Sequence, residues 1–289
     1  MYGYVSGYGE KGPDKDLPGF DFTAFYARGG ILGPLRDKNS LPMLTVQGFG
    51  DHQVAMNLAA GVLAALFKAK MTGEGDHVVV SLFHSAIWDI SLMLQASQYG
   101  ADSTQYPMER WKLGNPLVLC YETADGQWLQ IAMPQYDRHY PILMNAMGYP
   151  ELADDARYYP QKNLIPNREE FSAWITAEFK KKTCDEWCKL LDANDLPYAI
   201  AQEWDSLLED KQAWASDCFY EMAYSNGNKR TLVRPPVLFD QMGLPPYERG
   251  PYLGEQTKDI LGELGYSAEA IDELIKSGAA IDMDPALRD

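Results

Sequence analysis

Histidine and cysteine are scarce in this chain, at four each among 289 residues. Cys120, Cys184, Cys188 and Cys218 form no Cys-x-x-Cys pair, and His52, His77, His84 and His139 lie scattered away from them. A metal centre of the Cys/His kind therefore has no framework, and no metal is expected. The first residues carry neither a charged lead nor an apolar core, so they are not a targeting segment, and the thiols read as reduced, cytoplasmic side chains. Positive charge is also short: 25 Lys plus Arg stand against 41 Asp plus Glu, a net charge of -16. That balance excludes nucleic acid as a partner, because phosphate backbones need basic surface. No uninterrupted apolar run is long enough to cross a bilayer; the longest, residues 54–67, reads as a core helix, and no membrane partner is expected. Internal repeats and low-complexity tracts are absent.

What is present is ample apolar material, 46% of the residues. A chain of this size can bury a substantial core and, by length, forms about two domains. Asp21 is placed to cap a short helix over residues 22–28, stopped by Gly29-Gly30. A helix over 51–69, a tight Gly turn, a β-branched strand over 77–82 and a helix over 83–99 follow as a fragment of an α/β layer structure. The polar, turn-rich stretch 103–116 predicts a hinge. Beyond it, strands 118–123 and 128–133 form a hairpin around Asp125-Gly126, with helices over 137–147, 168–181 and 183–193. The last of these opens on a Thr183–Glu186 capping box. Residues 196–202 read as a strand, 204–210 and 212–217 as short helices, 229–237 as a strand stopped by Pro235-Pro236, and 255–264 and 268–277 as helices. Three portions result: 1–110, 111–203 and 204–289.

One carboxylate stands out. Gly48-Phe49-Gly50-Asp51-His52-Gln53 places Asp51 where a glycine turn meets the apolar helix. A helix N-terminus favours negative charge and offers free N–H groups, so an ionised carboxylate is at home there and can attack an electrophile. On spacing alone the same Asp is an ordinary N-cap. The backbone N–H groups around Gly48, Gly50 and His52 are candidates to stabilise an oxyanion. His52 and Gln53 are neighbours of the site, and Arg28, in Ala27-Arg28-Gly29-Gly30, is a candidate partner for a substrate carboxylate because its planar fork suits bidentate recognition. His84 is expected to pack internally. Glu122 and Asp125 invite an acid/base reading, but the Asp-Gly turn accounts for Asp125. Tyr2, Tyr4, Tyr8, Trp88, Tyr106 and Trp111 are candidates to line an acyl pocket, with core packing the expected role for most.

The segment around Asp51, with Thr72-Gly73-Glu74-Gly75-Asp76 after its helix, resembles the class III (CaiB/BaiF) CoA-transferases. Further matches follow in chain order: Gly7-Tyr8-Gly9-Glu10-Lys11-Gly12-Pro13, Pro18-Gly19-Phe20-Asp21, Ala27-Arg28-Gly29-Gly30, Tyr121-Glu122-Thr123-Ala124-Asp125-Gly126-Gln127-Trp128 and Leu253-Gly254-Glu255-Gln256-Thr257. None is specific alone; together they span nearly the whole chain. They are most similar to the branch acting on 2-hydroxy acids and 2-enoyl partners, such as the aryl-lactate and 2-hydroxyisocaproate CoA-transferases of amino acid fermentation.

The resemblance implies an aspartate nucleophile at Asp51 and transfer of CoA from a 2-hydroxyacyl- or 2-enoyl-CoA to a free carboxylic acid, through an aspartyl anhydride and an aspartyl-CoA thioester. It implies no tightly bound cofactor, since coenzyme A enters as part of the substrate. It also implies an α/β fold in which residues 1–110 are part of a Rossmann-like large domain, 111–203 a small α+β domain and 204–289 a segment returning to the large domain, in an interlocked homodimer when full length. Gly114-Asn115-Pro116 holds one glycine where the oxalate-handling branch has a run of them, which argues against oxalate. The family's N-terminal half is expected to be missing. Two rival readings remain open: a 2-methylacyl-CoA racemase, which would need His52 or His84 as acid/base partner of Asp51, and an inactive remnant or assembly subunit.

Overall fold

The computed structural model describes residues 1–100, 106–224, 227–243 and 247–284, and the chain divides into two compact units, 1–201 and 202–289. In the first unit, β1 (Tyr2–Ser6) lies parallel to β2 (His77–Ser81), with Tyr2 opposite His77 and Ser6 opposite Ser81. The sequence leaves the first strand without a partner; the structure pairs it across a crossover of 70 residues that contains α1 (Phe49–Thr72). Parallel strands need such a crossover, and an α-helix is its usual content. Gly48 starts α1 at φ 80° and Gly73 ends it at φ 77°, both left-handed conformations that glycine adopts without penalty.

Helix α1 is longer than the apolar run at 54–67, because its polar first turn and Lys68–Thr72 continue the same helix. By length and composition it is apolar enough to cross a membrane, which the shorter run was not. The helix expected over 83–99 is broken into α2 (Leu82–Asp89), α3 (Ser91–Ala96) and a 3-10 turn at Ser97–Tyr99. The break falls at Ile90 (φ -96°, ψ 9°), whose side-chain tip packs against Gly30.

The hairpin forms as β3 (Cys120–Glu122) and β4 (Trp128–Ile131), and β5 (Tyr198–Ile200) adds to β4, again antiparallel. Asp125 accepts from the Thr123 hydroxyl (2.6 Å), the Gln127 amide (3.0 Å) and the Cys184 N–H (3.1 Å), so the turn also holds the start of a later helix. Around this sheet lie α4 (Tyr136–Met147), α5 (Gln161–Leu164), α6 (Arg168–Phe179) and α7 (Cys184–Ala193). The capping box is present as read: Glu186 N–H donates to Thr183 Oγ1 at 3.3 Å and Thr183 N–H to Glu186 Oε2 at 2.8 Å.

The core between sheet and helices is aromatic. Tyr121 stacks on Phe179 at 4.6 Å, and Trp187 donates its indole N–H to the Phe179 carbonyl at 2.8 Å. Burial pushes the Tyr121 and Tyr136 hydroxyls up, and each donates to a carbonyl, of Pro116 and Tyr158 respectively. Each such ring, fully enclosed, contributes roughly 1.5–3 kcal/mol.

Of the hinge read over 103–116, residues 103–105 lie outside the described residues. In the remainder, Met108 pairs with Asp37, Lys38 donates its N–H to the Met108 carbonyl at 2.6 Å, and Leu113 enters the aromatic core, as does Leu117 just beyond it.

The second unit holds α8 (Trp204–Leu208), α9 (Lys211–Ala215), an antiparallel pair β6 (Phe219–Ala223) and β7 (Lys229–Val233), then α10 (Thr257–Glu263) and α11 (Ala268–Lys276). Strand β6 is not evident from the sequence. Leu253-Gly254-Glu255-Gln256 has a structural role within this unit. Glu255 takes a bidentate pair from Arg249 (2.7 and 2.8 Å), which holds its carboxyl at about 2. Gly254 lies against the backbone of Ile281–Met283, where a Cβ would stand 2.7 Å away.

Candidate active site

The site begins where two backbones cross. A Cβ on Gly7 would lie 2.5 Å from the Gly19 Cα, so neither position admits a side chain without moving main chain. The crossing leads into a short, wide π-type helix, Asp21–Ala27. Its Ala24, Phe25 and Tyr26 pack in one cluster with Val54 of α1 and with Leu82 and Ala86 of α2. Tyr26 also donates its hydroxyl to the Val46 carbonyl at 3.2 Å, which anchors the segment entering α1.

Asp21 does not cap its own helix. Its carboxylate is 5% exposed and reaches 27 and 29 residues ahead, accepting from Gly48 N–H at 2.7 Å and Gly50 N–H at 3.0 Å. These donors flank the start of α1, so a buried anion from elsewhere occupies the positive end of that helix. Gly50 is required here: a Cβ would fall 2.3 Å from the Phe25 ring and 2.5 Å from Asp21 Oδ1.

Asp51 is the next residue, in the first turn, and it is exposed. Among the described residues its carboxylate has no hydrogen-bond or ion-pair partner, so it is not an N-cap. The expected oxyanion donors need correction. Gly48 and Gly50 N–H are taken by Asp21, and His52 N–H donates to the Gly48 carbonyl at 3.0 Å. The Asp51 N–H itself is the donor left open in this turn.

The other sequence candidates separate from Asp51 in what they do. Arg28 pairs with Asp14 and lies over the rings of Tyr8 (4.9 Å) and Phe83 (5.5 Å), so its guanidinium ties the loop after β1 to α2. The ion pair uses one nitrogen of the fork, and 45% of the side chain stays exposed. Gln53 donates its amide to Asp89 Oδ1 at 3.1 Å, bridging α1 to α2, and burial raises the Asp89 carboxyl. His52 is exposed, with its ring beside Gly48. His84 is exposed rather than internal and lines a cavity of about 250 Å³ with Asn57, Val79, Ser85 and Trp88. Tyr2, Trp88 and Trp111 are exposed, not core.

Asp21 is the residue that sequence reasoning placed in the wrong role. The signal was available: a single acid inside Phe20-Asp21-Phe22, followed by Phe25 and Tyr26, must find donors once buried, and Gly48-x-Gly50 at a helix start has donors to offer.

A family model described as CoA-transferase family III matches residues 1–257. The chain belongs to that family. With the relatives that follow, this makes the chain an enzyme of the class III CoA-transferases. It is 47% identical over 277 residues to a cinnamoyl-CoA:phenyllactate CoA-transferase of Clostridium sporogenes, covering 96% of this chain and 67% of that protein. It is 39% identical over 272 residues to an (R)-2-hydroxy-4-methylpentanoate CoA-transferase of Clostridioides difficile, covering 94% and 67%. The CoA-transferase thus spans about two thirds of the length of these relatives. Its fold is similar to a CaiB/BaiF family protein from Brucella suis, with a TM-score of 0.71 at 22% identity over 90% of this chain and 66% of that one.

Proposed function

We propose that this CoA-transferase moves CoA between an acyl-CoA of 2-hydroxyacyl or 2-enoyl type and a free carboxylic acid, with Asp51 as nucleophile. The observation that carries the proposal is the exposed Asp51 carboxylate, without a partner among the described residues, on a helix whose positive end is already met by Asp21. The names of the two clostridial relatives support the substrate class.

A carboxylate oxygen of Asp51 attacks the thioester carbonyl, and CoA leaves as thiolate, giving a mixed anhydride. The thiolate then attacks the Asp51 carbonyl carbon, which releases the first acid and leaves an aspartyl-CoA thioester. The incoming carboxylate attacks that thioester and regenerates an anhydride. Thiolate attack on its acyl carbon forms the new acyl-CoA and frees Asp51. No water or external acid is consumed, and the open Asp51 N–H is a backbone donor available to a developing oxyanion.

With this reading go a cytoplasmic homodimer, coenzyme A as substrate with no resident cofactor, and the division 1–110, 111–203 and 204–289. A role in amino acid fermentation fits the same substrates. Hydroxylamine added to the natural full-length protein with acyl-CoA tests the proposal. Asp51 should be recovered as a hydroxamate by peptide mass spectrometry; an unmodified Asp51 beside a modified residue elsewhere would refute it.

A further inference from the structure

We infer that Asp21 is the positioning residue for the nucleophile, an inference that rests on the reading of Asp51 above. Four observations meet at one point. Asp21 is buried, yet it is a carboxylate, and its hydrogen bonds of 2.7 and 3.0 Å go to Gly48 and Gly50 rather than to its own element. Gly48 sits at φ 80°, a conformation that needs holding if the turn is to have one shape. Gly50 is pressed against Phe25 so closely that no Cβ fits. Asp51 follows directly, with no partner of its own to fix it.

Charge-assisted hydrogen bonds to backbone N–H are stronger and shorter than neutral ones. Two of them from one carboxylate set both the position and the rotation of the first turn of α1. The geometry of Asp51 is therefore governed by a residue that does not touch substrate. A second effect follows from charge. Because Asp21 meets the helix end, Asp51 is spared that role and remains free to attack. The Tyr26 hydroxyl, raised by burial and by the Asp21 charge, donates to the Val46 carbonyl and so anchors the chain just ahead of Gly48.

Misplacing a reacting group by about 1 Å can lower a rate on the order of 100-fold. Asp21→Asn replaces one accepting oxygen with an NH2 that would face a backbone N–H, so one of the two bonds is lost. In the natural full-length enzyme this variant should lower kcat, and the rate of hydroxylamine capture at Asp51, by about 100-fold, with KM for acyl-CoA within about threefold. Asp21→Glu keeps both acceptors but adds one methylene, and should fall between, about tenfold down in kcat. Leu191→Ala, in the separate aromatic core, loosens packing without touching the clamp; it should lower Tm while keeping kcat within about threefold. Amide exchange should show Gly48 and Gly50 N–H both protected in the unchanged protein and one of the two exposed in Asp21→Asn.

If Asp21→Asn keeps its kcat while Asp51→Asn is inactive, the clamp is wrong and the nucleophile stands. If Asp51→Asn is fully active, the nucleophile is wrong. A fall in kcat that merely tracks Tm, equal in Leu191→Ala and Asp21→Asn, also overturns the positioning role. Should Asp21→Asn fail to fold, Asp21→Glu decides: unchanged kcat in that variant overturns the inference.

Discussion

Two regions of the first unit use similar apolar material in opposite ways. Between residues 113 and 196 the large side chains close on one another, so that Trp187 is 1% exposed and Leu117, Leu129, Tyr140 and Phe171 are fully enclosed. Helix α1 buries only Gly50, Val54 and Ala65 of its 24 residues, while Phe67 is 70% and Leu63 64% exposed. The first region fixes its own geometry by packing. The second presents an apolar helix whose head is held by Asp21 and the Phe25 cluster and whose inner face rests on β1 and β2, while its outer face stays exposed, and that head carries Asp51. A site can thus be locally ordered on an element that is half uncovered.

The largest expected effect falls at the held head of α1. Asp51→Asn removes the nucleophilic oxygen without changing size, and transfer should fall by several orders of magnitude in steady-state kinetics. Loss of less than about tenfold would mean that the chemistry lies elsewhere.

Next in size is a contrast in stability. Trp187→Ala opens a cavity in the closed core and deletes the bond to Phe179, so urea unfolding should show a loss of about 3–5 kcal/mol. Phe67→Ser, on the open face of α1, should change stability by no more than about 0.5 kcal/mol. It should instead reduce self-association, which the exposed apolar face predicts for the 289-residue polypeptide on its own. Size-exclusion chromatography reads this directly: a monodisperse elution unchanged by Phe67→Ser would show that α1 is not a sticky surface.

The smallest effect concerns the ion pairs that join residue 38 to residues 109–112, outside both regions. Glu109 pairs with Lys112 at 2.6 Å and with Lys38, and these hydrogen bonds hold its carboxyl down to about 2 from the usual 4.5. A depressed carboxyl stabilises the fold above its unfolded pKa, and that contribution is lost as pH falls through the folded value. The pairing is surface-exposed and screened by salt. Acid unfolding should therefore show a modest Glu109-dependent loss between pH 4.5 and about 2, absent in Glu109→Gln and weaker in high salt.

Legibility from sequence followed the range of the forces involved. The hairpin at Asp125-Gly126 and the capping box at Thr183–Glu186 form within a few residues, so their signatures are local and both are present. The start of α1 and the place of Asp51 were legible for the same reason. What escaped depends on distant partners. Asp21 reaches Gly48 and Gly50 across 27 and 29 residues, and no periodicity marks a side chain bonding backbone so far away. Arg28 was read as free because Asp14 lies 14 residues upstream on an irregular loop. The kink at Ile90 depends on packing against Gly30, and β1 finds β2 only through the whole α1 crossover. Apolar pattern alone marks residues that are able to be buried; it left the exposed face of α1 indistinguishable from a core helix.

The most direct test of the account follows one oxygen atom. In the anhydride sequence, the bridging oxygen of the incoming acid is left on Asp51 when the new acyl-CoA departs. Turnover with an acceptor acid carrying heavy oxygen in its carboxyl group should therefore place heavy oxygen in the peptide containing Asp51 and in no other peptide. An Asp51 peptide of unchanged mass after many turnovers would contradict the account.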